Sequence, residues 1–197
     1  MKPNNIKLFD DNELVRQFHS GKSVAFEQLT ERYHTYILNT CFSFLHDEND
    51  AKDAAQDIFI KVYFALNKFK PDAKFSTWLY RIAVNHCLNV LRSRKRKKWL
   101  LVFSKYSGDF NETINNVQDH KNNPEQQFES QEQQEAINRA LDSLSESSRT
   151  AVILHRYQGL SYKEIAAVMD TSVSSVESIL FRAKKKLAGL LKDYMKN

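Results

Sequence analysis

The chain has few of the residues that interrupt regular structure, with only 4 Gly and 3 Pro among 197 residues. Because turns between strands depend heavily on these two residue types, their scarcity argues against a strand-rich fold and favours long helices. Only two cysteines are present, Cys41 and Cys87, and both lie within apolar periodic segments. This usage excludes a disulfide framework and is typical of buried thiols in a reducing compartment.

The sequence also lacks long apolar runs. No stretch approaches the roughly 18 uninterrupted apolar residues of a membrane-spanning helix, and the N-terminal MKPNNIKLFDD contains no apolar secretory core. We therefore expect a cytoplasmic protein without membrane insertion. The content of 42% hydrophobic and 27% charged residues is that of an ordinary folded protein, long enough for one medium domain or two small ones.

Charge is distributed unevenly along the chain. The net charge is +5, but the cations concentrate at Arg92 to Lys98 and at Lys184 to Lys186, whereas the segment from Asp47 to Asp57 is acidic. Local basic patches on a nearly balanced background indicate a polyanionic partner and a second, different contact surface. On charge alone, an anionic membrane surface is also compatible.

Hydrophobic periodicity predicts an all-α protein with two small helical domains joined by a flexible linker. The predicted domains are residues 1–98 and 136–197, and the linker is 99–135, whose later part is rich in Asn and Gln, acidic and poor in apolar residues. The polar stretch HDEND at 46–50 offers N-cap residues for one helix, and Ser76 or Thr77 is predicted to cap the next.

The segment Ser161 to Leu187, SYKEIAAVMDTSVSSVESILFRAKKKL, has the pattern of a helix-turn-helix. This motif needs a small residue where the helices cross and a turn residue that tolerates positive φ, for which Ala166 and Asp170 are suited. Ser172 is predicted to cap the second helix. The positions expected to lock the two helices together are Ile165, Met169, Val176 and Ile179. A helical hairpin with a solvated basic tail is the alternative interpretation.

The second helix of this motif presents short polar residues first and cations later. Short polar side chains can enter the major groove, a glutamate can accept a hydrogen bond from cytosine N4, and the later cations suit phosphates. The predicted duplex-binding residues are Ser172, Ser174, Ser175, Glu177, Ser178, Arg182 and Lys185, with Lys184 and Lys186 as further cations.

A second nucleic-acid face is predicted on the helix that begins near Phe75. Trp78, Arg81, Asn85, Asn89 and Arg92 recur at spacings of 3, 4, 4 and 3 residues and therefore share one side. An aromatic ring, amides and cations together favour single-stranded nucleic acid, since base stacking contributes about 1–3 kcal/mol per base. The alternative is that Trp78 belongs to the core and that the basic run is a helix end favoured by the helix dipole.

The preceding helix has an acidic outer strip, formed by Asp50, Asp53, Asp57 and Lys61, with Gln56 and Phe64 adjacent. Acidic residues in a first turn stabilise any helix N-terminus, which is sufficient to explain Asp50 and Asp53. Asp57 and Phe64 lie further along the helix. Because an acidic strip would repel DNA, this surface is assigned to a protein partner.

Two long motifs resemble a known family. DAKDAAQDIFIKVYFALNKFKPDAKFSTWLYRIAVNHCLN, together with LSESSRTAVILHRYQGLSYKEIAAVM and VSSVESILFRAKKKL, closely resembles bacterial RNA polymerase sigma factors of the extracytoplasmic-function (ECF) group, in the sigma-70 family. The resemblance covers about Asp11 to Arg96 and Ala136 to Leu191. It implies a promoter-specificity subunit without enzyme activity or cofactor, with sigma region 2 at 1–98 and region 4 at 136–197.

The resemblance also implies roles for individual residues. Core polymerase would bind through its β′ clamp at Asp53, Gln56, Asp57 and Lys61. The −10 promoter element would be captured as single strand by Lys74, Phe75, Thr77, Trp78, Arg81, Asn85 and Arg92, and the −35 element would be bound by the second helix of the helix-turn-helix. The linker would follow the RNA path of the polymerase. A monomer regulated by an anti-sigma factor is expected.

The recognition helix departs from the common family pattern Thr-Val-Lys-Ser-Arg, because this chain has Ser175, Val176, Glu177, Ser178 and Ile179. No −35 consensus is therefore transferred. Two other classes remain open from the residues alone. One is a dimeric helix-turn-helix regulator acting on duplex DNA without polymerase. The other is an enzyme, although the six histidines are scattered and the adjacent His86 and Cys87 point about 100° apart on a helix.

Overall fold

The computed structural model of the protein describes residues 10–70, 74–106 and 126–192. These residues form eight α-helices and no strand, which confirms the predicted all-α class. The helices are α1 (Asp11–His19), α2 (Val24–Leu45), α3 (Glu48–Leu66), α4 (Phe75–Tyr106), α5 (Gln126–Asp142), α6 (Glu146–Arg156), α7 (Tyr162–Met169) and α8 (Val173–Leu190).

The N-terminal unit is built around α2, which packs against α1, α3 and α4. Its buried side chains come from the predicted apolar stripes and include Ile37, Cys41, Phe44, Ile58 and Leu79. Asp47 caps α3 as expected, since its carboxylate accepts a hydrogen bond from the Asp50 backbone N–H at 2.8 Å. The predicted cap of the next helix is wrong, because α4 already begins at Phe75 and places Ser76 and Thr77 inside its first turn.

The C-terminal unit contains the predicted helix-turn-helix in α7 and α8. Asp170 joins the two helices in the left-handed conformation, with φ of 54° and ψ of 53°. Ser161 and Glu164 form a reciprocal capping box at the start of α7. The Ser172 hydroxyl accepts from the Ser175 backbone N–H at 3.1 Å and so caps α8. These three features fix where α7 begins, where it ends and where α8 begins, and together they define the turn between the two helices.

The helices extend further into the predicted linker than expected. Residues 99–106 continue α4, and α5 begins at Gln126 rather than near Ala136. The prediction relied on apolar periodicity, whereas QQFESQEQQE at 126–135 is rich in Gln and Glu, which favour helix without burying apolar surface. The remainder of the predicted linker, 107–125, lies outside the described residues.

The two units pack against each other. Helix α4 contacts α7, and α2 contacts α6, so that the buried side chains of both units belong to one continuous core. Tyr80 and Val84 of α4 are buried and lie beside the inward residues Leu79, Ala83 and Cys87. Helix α4 therefore has buried residues on two adjoining sides, a wider buried surface than an exposed amphipathic helix requires.

Leu79 offers a direct test of the α4 packing. It is fully buried, and replacing it by Ala should lower the free energy of unfolding by about 2–5 kcal/mol, through lost apolar burial and the cavity that remains. Urea denaturation followed by circular dichroism would measure the change. The exposed Leu190→Ala is the matched control, for which we expect a change within about 0.5 kcal/mol. Equal effects of the two substitutions would contradict this packing.

Candidate nucleic-acid and polymerase interfaces

The recognition helix α8 has one buried side and one polar side. Val176, Leu180 and Ala183 are buried against the rest of the unit. The opposite side exposes the predicted duplex-binding residues Ser174, Glu177, Ser178, Arg182 and Lys185, which share one side of the helix because they are spaced by three or four residues apart from the adjacent pair Glu177 and Ser178. Ser172 is exposed but its hydroxyl serves as the helix cap, and Ser175 is half-buried.

Phe181 lies on the same polar side and was missed by the sequence analysis. Its side chain is 71% exposed, which is unusual for a large apolar residue in the middle of a helix. Position 181 follows Glu177 by four residues and Ser178 by three, so its place on this face could have been found from spacing alone. An apolar ring there can contact the C5-methyl group of thymine in the major groove.

The predicted single-strand face of α4 is only partly exposed. Trp78 is half-buried, with its ring centroid 4.9 Å from that of Phe69 and 5.9 Å from that of Phe75. Phe75 itself is 2% exposed and packs in the core, so its predicted contact with nucleic acid would require its ring to become exposed. In this structure its ring packs against that of Trp78. Thr77 is half-buried, whereas Asn85 is exposed.

The three cations of this face, Lys74, Arg81 and Arg92, contact the C-terminal unit. The Lys74 ammonium lies 3.1 Å from a Glu164 carboxylate oxygen. Arg92 forms an ion pair with Glu146, with Nη2 and Oε2 2.5 Å apart. The carboxyl pKa values of Glu164 and Glu146 lie below their usual range. Hydrogen bonds from Ser161, and then from Lys74, lower the pKa of Glu164, and the Arg92 guanidinium lowers that of Glu146.

The acidic strip lies on the solvent side of α3. Asp53, Gln56, Asp57 and Lys61 are all exposed, and the Asp57 side chain is 62% accessible. Beside it runs an apolar groove of about 760 Å³ between α2 and α3, where Ile60 and the 74% exposed Phe64 form one wall. A charged strip beside an exposed apolar groove is the arrangement of a protein-binding surface.

His86 of α4 lies beneath the acidic strip and contacts it. The Lys61 ammonium donates to His86 Nδ1 at 2.5 Å, and an Asp57 carboxylate oxygen lies 3.9 Å from Nε2. The imidazole is 9% exposed. Burial, and then the positive charge of Lys61, lowers the pKa of His86, with Asp57 opposing both. The neutral ring therefore serves as an acceptor that holds Lys61 in place.

The two cysteines are neighbours in the core, with their sulfur atoms 3.8 Å apart. Both are fully buried, in agreement with the prediction of inert hydrophobic thiols. The contact with Cys41, and then burial, raises the pKa of the Cys87 thiol far above its ordinary value. Within the described residues, no three His, Cys, Asp or Glu side chains lie close enough together to hold a metal ion.

The geometry defines a class of protein: an all-helical, two-unit factor with a helix-turn-helix and a separate, exposed acidic strip. The family comparison agrees with this class. Residues 29–97 match Sigma-70 region 2, and residues 134–187 match Sigma-70, region 4. The chain belongs to the sigma-70 family of bacterial RNA polymerase sigma factors, in its ECF group. Such factors direct RNA polymerase to promoters, with region 2 binding the −10 element and region 4 the −35 element.

Individual relatives cover nearly the whole chain. The RNA polymerase sigma-H factor of Pseudomonas aeruginosa is 35% identical over 186 residues, spanning 94% of this chain and 96% of that protein. The ECF sigma-E factor of Escherichia coli is 35% identical over 177 residues, spanning 90% and 92%. These matches confirm the resemblance inferred from the motifs.

Solved structures agree on the fold. CnrH in complex with the cytosolic domain of CnrY aligns with a TM-score of 0.67 at 29% identity, covering 93% of this chain and 97% of that one. RpoE of Bartonella quintana, solved with the anti-sigma factor NepR, aligns with a TM-score of 0.60 at 24% identity, covering 85% and 96%. Among the described helices, none is long and apolar enough to cross a membrane.

The lowered pKa of His86 predicts how stability depends on pH. The unfolded imidazole has a pKa near 6.5, so the unfolded chain binds a proton more readily than the folded chain does. The contribution of His86 should be fully present above about pH 6.5 and should decline as the pH falls below it. The free energy of unfolding would be measured with urea at about pH 7.5 and 5.5. Between these pH values it should fall less for His86→Gln than for the wild type. Equal losses would contradict a buried, neutral His86.

Proposed function

We propose that this chain, as an ECF sigma factor, uses three separate surfaces to start transcription. The α3 strip binds core RNA polymerase, the exposed face of α8 binds the −35 duplex, and the outer face of α4 holds the opened −10 strand. The observation that supports this division most is the exposed side of α8, where polar and cationic side chains surround an exposed Phe181. Such a face has the chemistry of major-groove recognition.

The polymerase-binding role of α3 is supported by charge and exposure together. Asp53 and Asp57 are exposed on α3, whereas the neighbouring Ala54 and Ile58 are buried. Their charge excludes DNA and suits a basic protein surface such as a clamp helix. His86 contributes indirectly by fixing the Lys61 ammonium beside Asp57.

The apolar groove between α2 and α3 suits a second protein partner. The related CnrH was solved with the cytosolic domain of CnrY, at 29% identity to this chain. We propose an anti-sigma factor that covers this groove and so competes with core polymerase for the same surface. The factor acts in the cytoplasm, where the polymerase is, as a monomer and without chemistry of its own.

Transcription with purified components tests the proposed function. Core RNA polymerase would be incubated with and without this chain on fragments of its own genome, and run-off transcripts would be mapped. New promoter-specific transcripts support the proposal. A specific footprint from the chain alone, without stimulation of the polymerase, would instead favour an autonomous duplex-binding regulator.

Reversing the charge of the α3 strip should abolish this stimulation. Asp57→Arg replaces an exposed carboxylate by a cation in the middle of the strip, and we expect affinity for core polymerase to fall by roughly tenfold or more, since like-charge contacts at an interface cost several kcal/mol. Fluorescence anisotropy with labelled chain would measure it. Glu132→Arg on α5 is the matched control for net charge. An equal loss in the control would exclude a specific role for Asp57.

Changing the exposed face of α8 should alter sequence preference rather than polymerase binding. Glu177→Lys should change the preferred −35 bases, because a carboxylate and an ammonium bond opposite groups on base edges. Phe181→Ala should weaken preference at thymine positions. Holoenzymes formed with each variant would be used to select promoters from a randomised −35 library. A uniform loss of affinity for every −35 sequence would argue against base recognition by these residues.

A further inference from the structure

The later part of α4 exposes large apolar side chains directly after a run of cations. Trp99 is 69% exposed, and Leu100 and Leu101 are each 65% exposed. A single exposed leucine is ordinary, but three consecutive large apolar residues with most of their surface in water form a patch that requires an explanation. Residues 95–98, which precede them, are all cationic and all exposed. We call residues 95–101 the α4 patch.

The cations of the α4 patch are available to an external anion. Arg94, just before the patch, forms an ion pair with Asp50, whereas residues 95–98 form no ion pair with another described residue. The helix supplies no compensating charge of its own, because no Asp or Glu occurs between Asp72 and Asp109. An anionic surface that approaches the patch therefore meets attraction from four side chains and no local repulsion from α4.

The apolar side chains of the patch point in several directions. Consecutive residues of a helix are about 100° apart, so Trp99, Leu100 and Leu101 together span about 200° of its circumference. A duplex or a flat protein surface contacts a helix along one side and would leave part of this apolar surface in water. Lipid is fluid and can surround a helix, so it can cover all three side chains at once.

One side of the patch combines both chemistries at short range. Lys95, Arg96, Trp99 and Leu100 line a shallow hollow of about 380 Å³. A phospholipid carries a phosphate directly beside its acyl chains, so one molecule can contact the two cations and the two apolar side chains together. The backbone of duplex DNA offers the phosphates without an aliphatic group that would cover a leucine. The hollow therefore favours phospholipid over nucleic acid.

Charged and apolar residues are also ordered along the helix axis. At about 1.5 Å per residue, the centre of the apolar turn lies about 6 Å beyond that of the cations. A helix that meets a bilayer obliquely can therefore keep its cations among the headgroups while the next turn reaches the acyl boundary. Tryptophan is favoured at that boundary because its ring is apolar and its N–H is polar.

We propose that the α4 patch binds the anionic phospholipids of a membrane surface and holds the free chain there reversibly, without crossing the bilayer. The cytoplasmic leaflet is the anionic surface available to a protein of the cytoplasm. Four cations and three apolar side chains give weak binding that other contacts can displace, rather than a permanent anchor. The proposal is independent of the surfaces assigned to polymerase and promoter.

Vesicle flotation with the purified full chain tests the proposal. The vesicles contain phosphatidylcholine with about one-third phosphatidylglycerol, and vesicles of phosphatidylcholine alone are the reference. We expect the chain to float with the anionic vesicles only, and the bound fraction to fall as salt is added, since salt screens the attraction. Absence of binding to the anionic vesicles at low salt would overturn the proposal.

The charge contribution is tested with Lys97→Gln/Lys98→Gln. Removing two cations from the patch should lower the affinity for anionic vesicles roughly tenfold or more. The matched control is Lys184→Gln/Lys185→Gln, which removes two adjacent exposed lysines from the other basic run, on α8. This control should change the affinity by less than about twofold. Equal losses would mean that diffuse positive charge is sufficient and would overturn a specific patch.

The apolar contribution is tested with Leu100→Ser, which should lower the affinity roughly fivefold or more because a buried aliphatic group is lost. Leu190→Ser, at a position that is 47% exposed on α8, is the matched control and should leave the affinity unchanged. Equal urea unfolding midpoints would show that each variant remains folded. Equal affinities of Leu100→Ser and the control would overturn contact of the patch with acyl chains.

Tryptophan fluorescence locates the ring directly. The chain has two tryptophans, so Trp78→Phe leaves Trp99 as the only one. Anionic vesicles should shift its emission to shorter wavelengths, and brominated acyl chains in the vesicles should quench it. Binding without either change would overturn the proposal, because Trp99 would then remain in water.

Other occupants of the patch give different results. If vesicle binding is absent and Lys97→Gln/Lys98→Gln weakens the holoenzyme on duplex promoter DNA, the patch is a nucleic-acid contact. If vesicle binding is absent and sedimentation shows dimers that Leu100→Ser dissociates, the patch binds a second copy of this chain. Either result would overturn the membrane proposal and leave the proposed function intact.

Discussion

The structure depends on the packing of one helix, α4, against both halves of the chain. Its inward residues Leu79, Ala83 and Cys87 complete the core of the N-terminal unit, and the neighbouring Tyr80 and Val84 are buried beside them. A helix with two adjoining buried sides has only one side left for solvent. That remaining side contains Trp78, Arg81 and Asn85, which are the residues proposed to contact nucleic acid.

The C-terminal unit and the proposed DNA strand would both contact the exposed side of α4. The cations proposed to neutralise a DNA strand each lie beside a carboxylate of the C-terminal unit. Each pair is partly exposed and individually weak. The acidic strip on α3 takes part in none of these three pairs.

Local signals predicted local structure well. The caps at Asp47 and Ser172 and the left-handed turn at Asp170 follow from side-chain chemistry within a few residues, and all three are observed. The side-chain environments have the opposite origin. Phe75 is predicted to contact nucleic acid, yet its ring packs against Tyr33, Phe69 and Trp78, and the exposed Phe181 is absent from the predicted set. Whether an aromatic ring is enclosed depends on elements distant in sequence.

The sequence by itself determined the helices, the helix-turn-helix, the charge segregation and the family, because periodicity, capping and motifs are properties of neighbouring residues. It also identified the acidic strip on α3, whose Asp53 and Asp57 are exposed. Only the tertiary structure decided that Lys74, Arg81 and Arg92 contact Glu164, Asp170 and Glu146. These pairs join residues more than fifty positions apart, and no local pattern specifies which distant carboxylate a cation will contact.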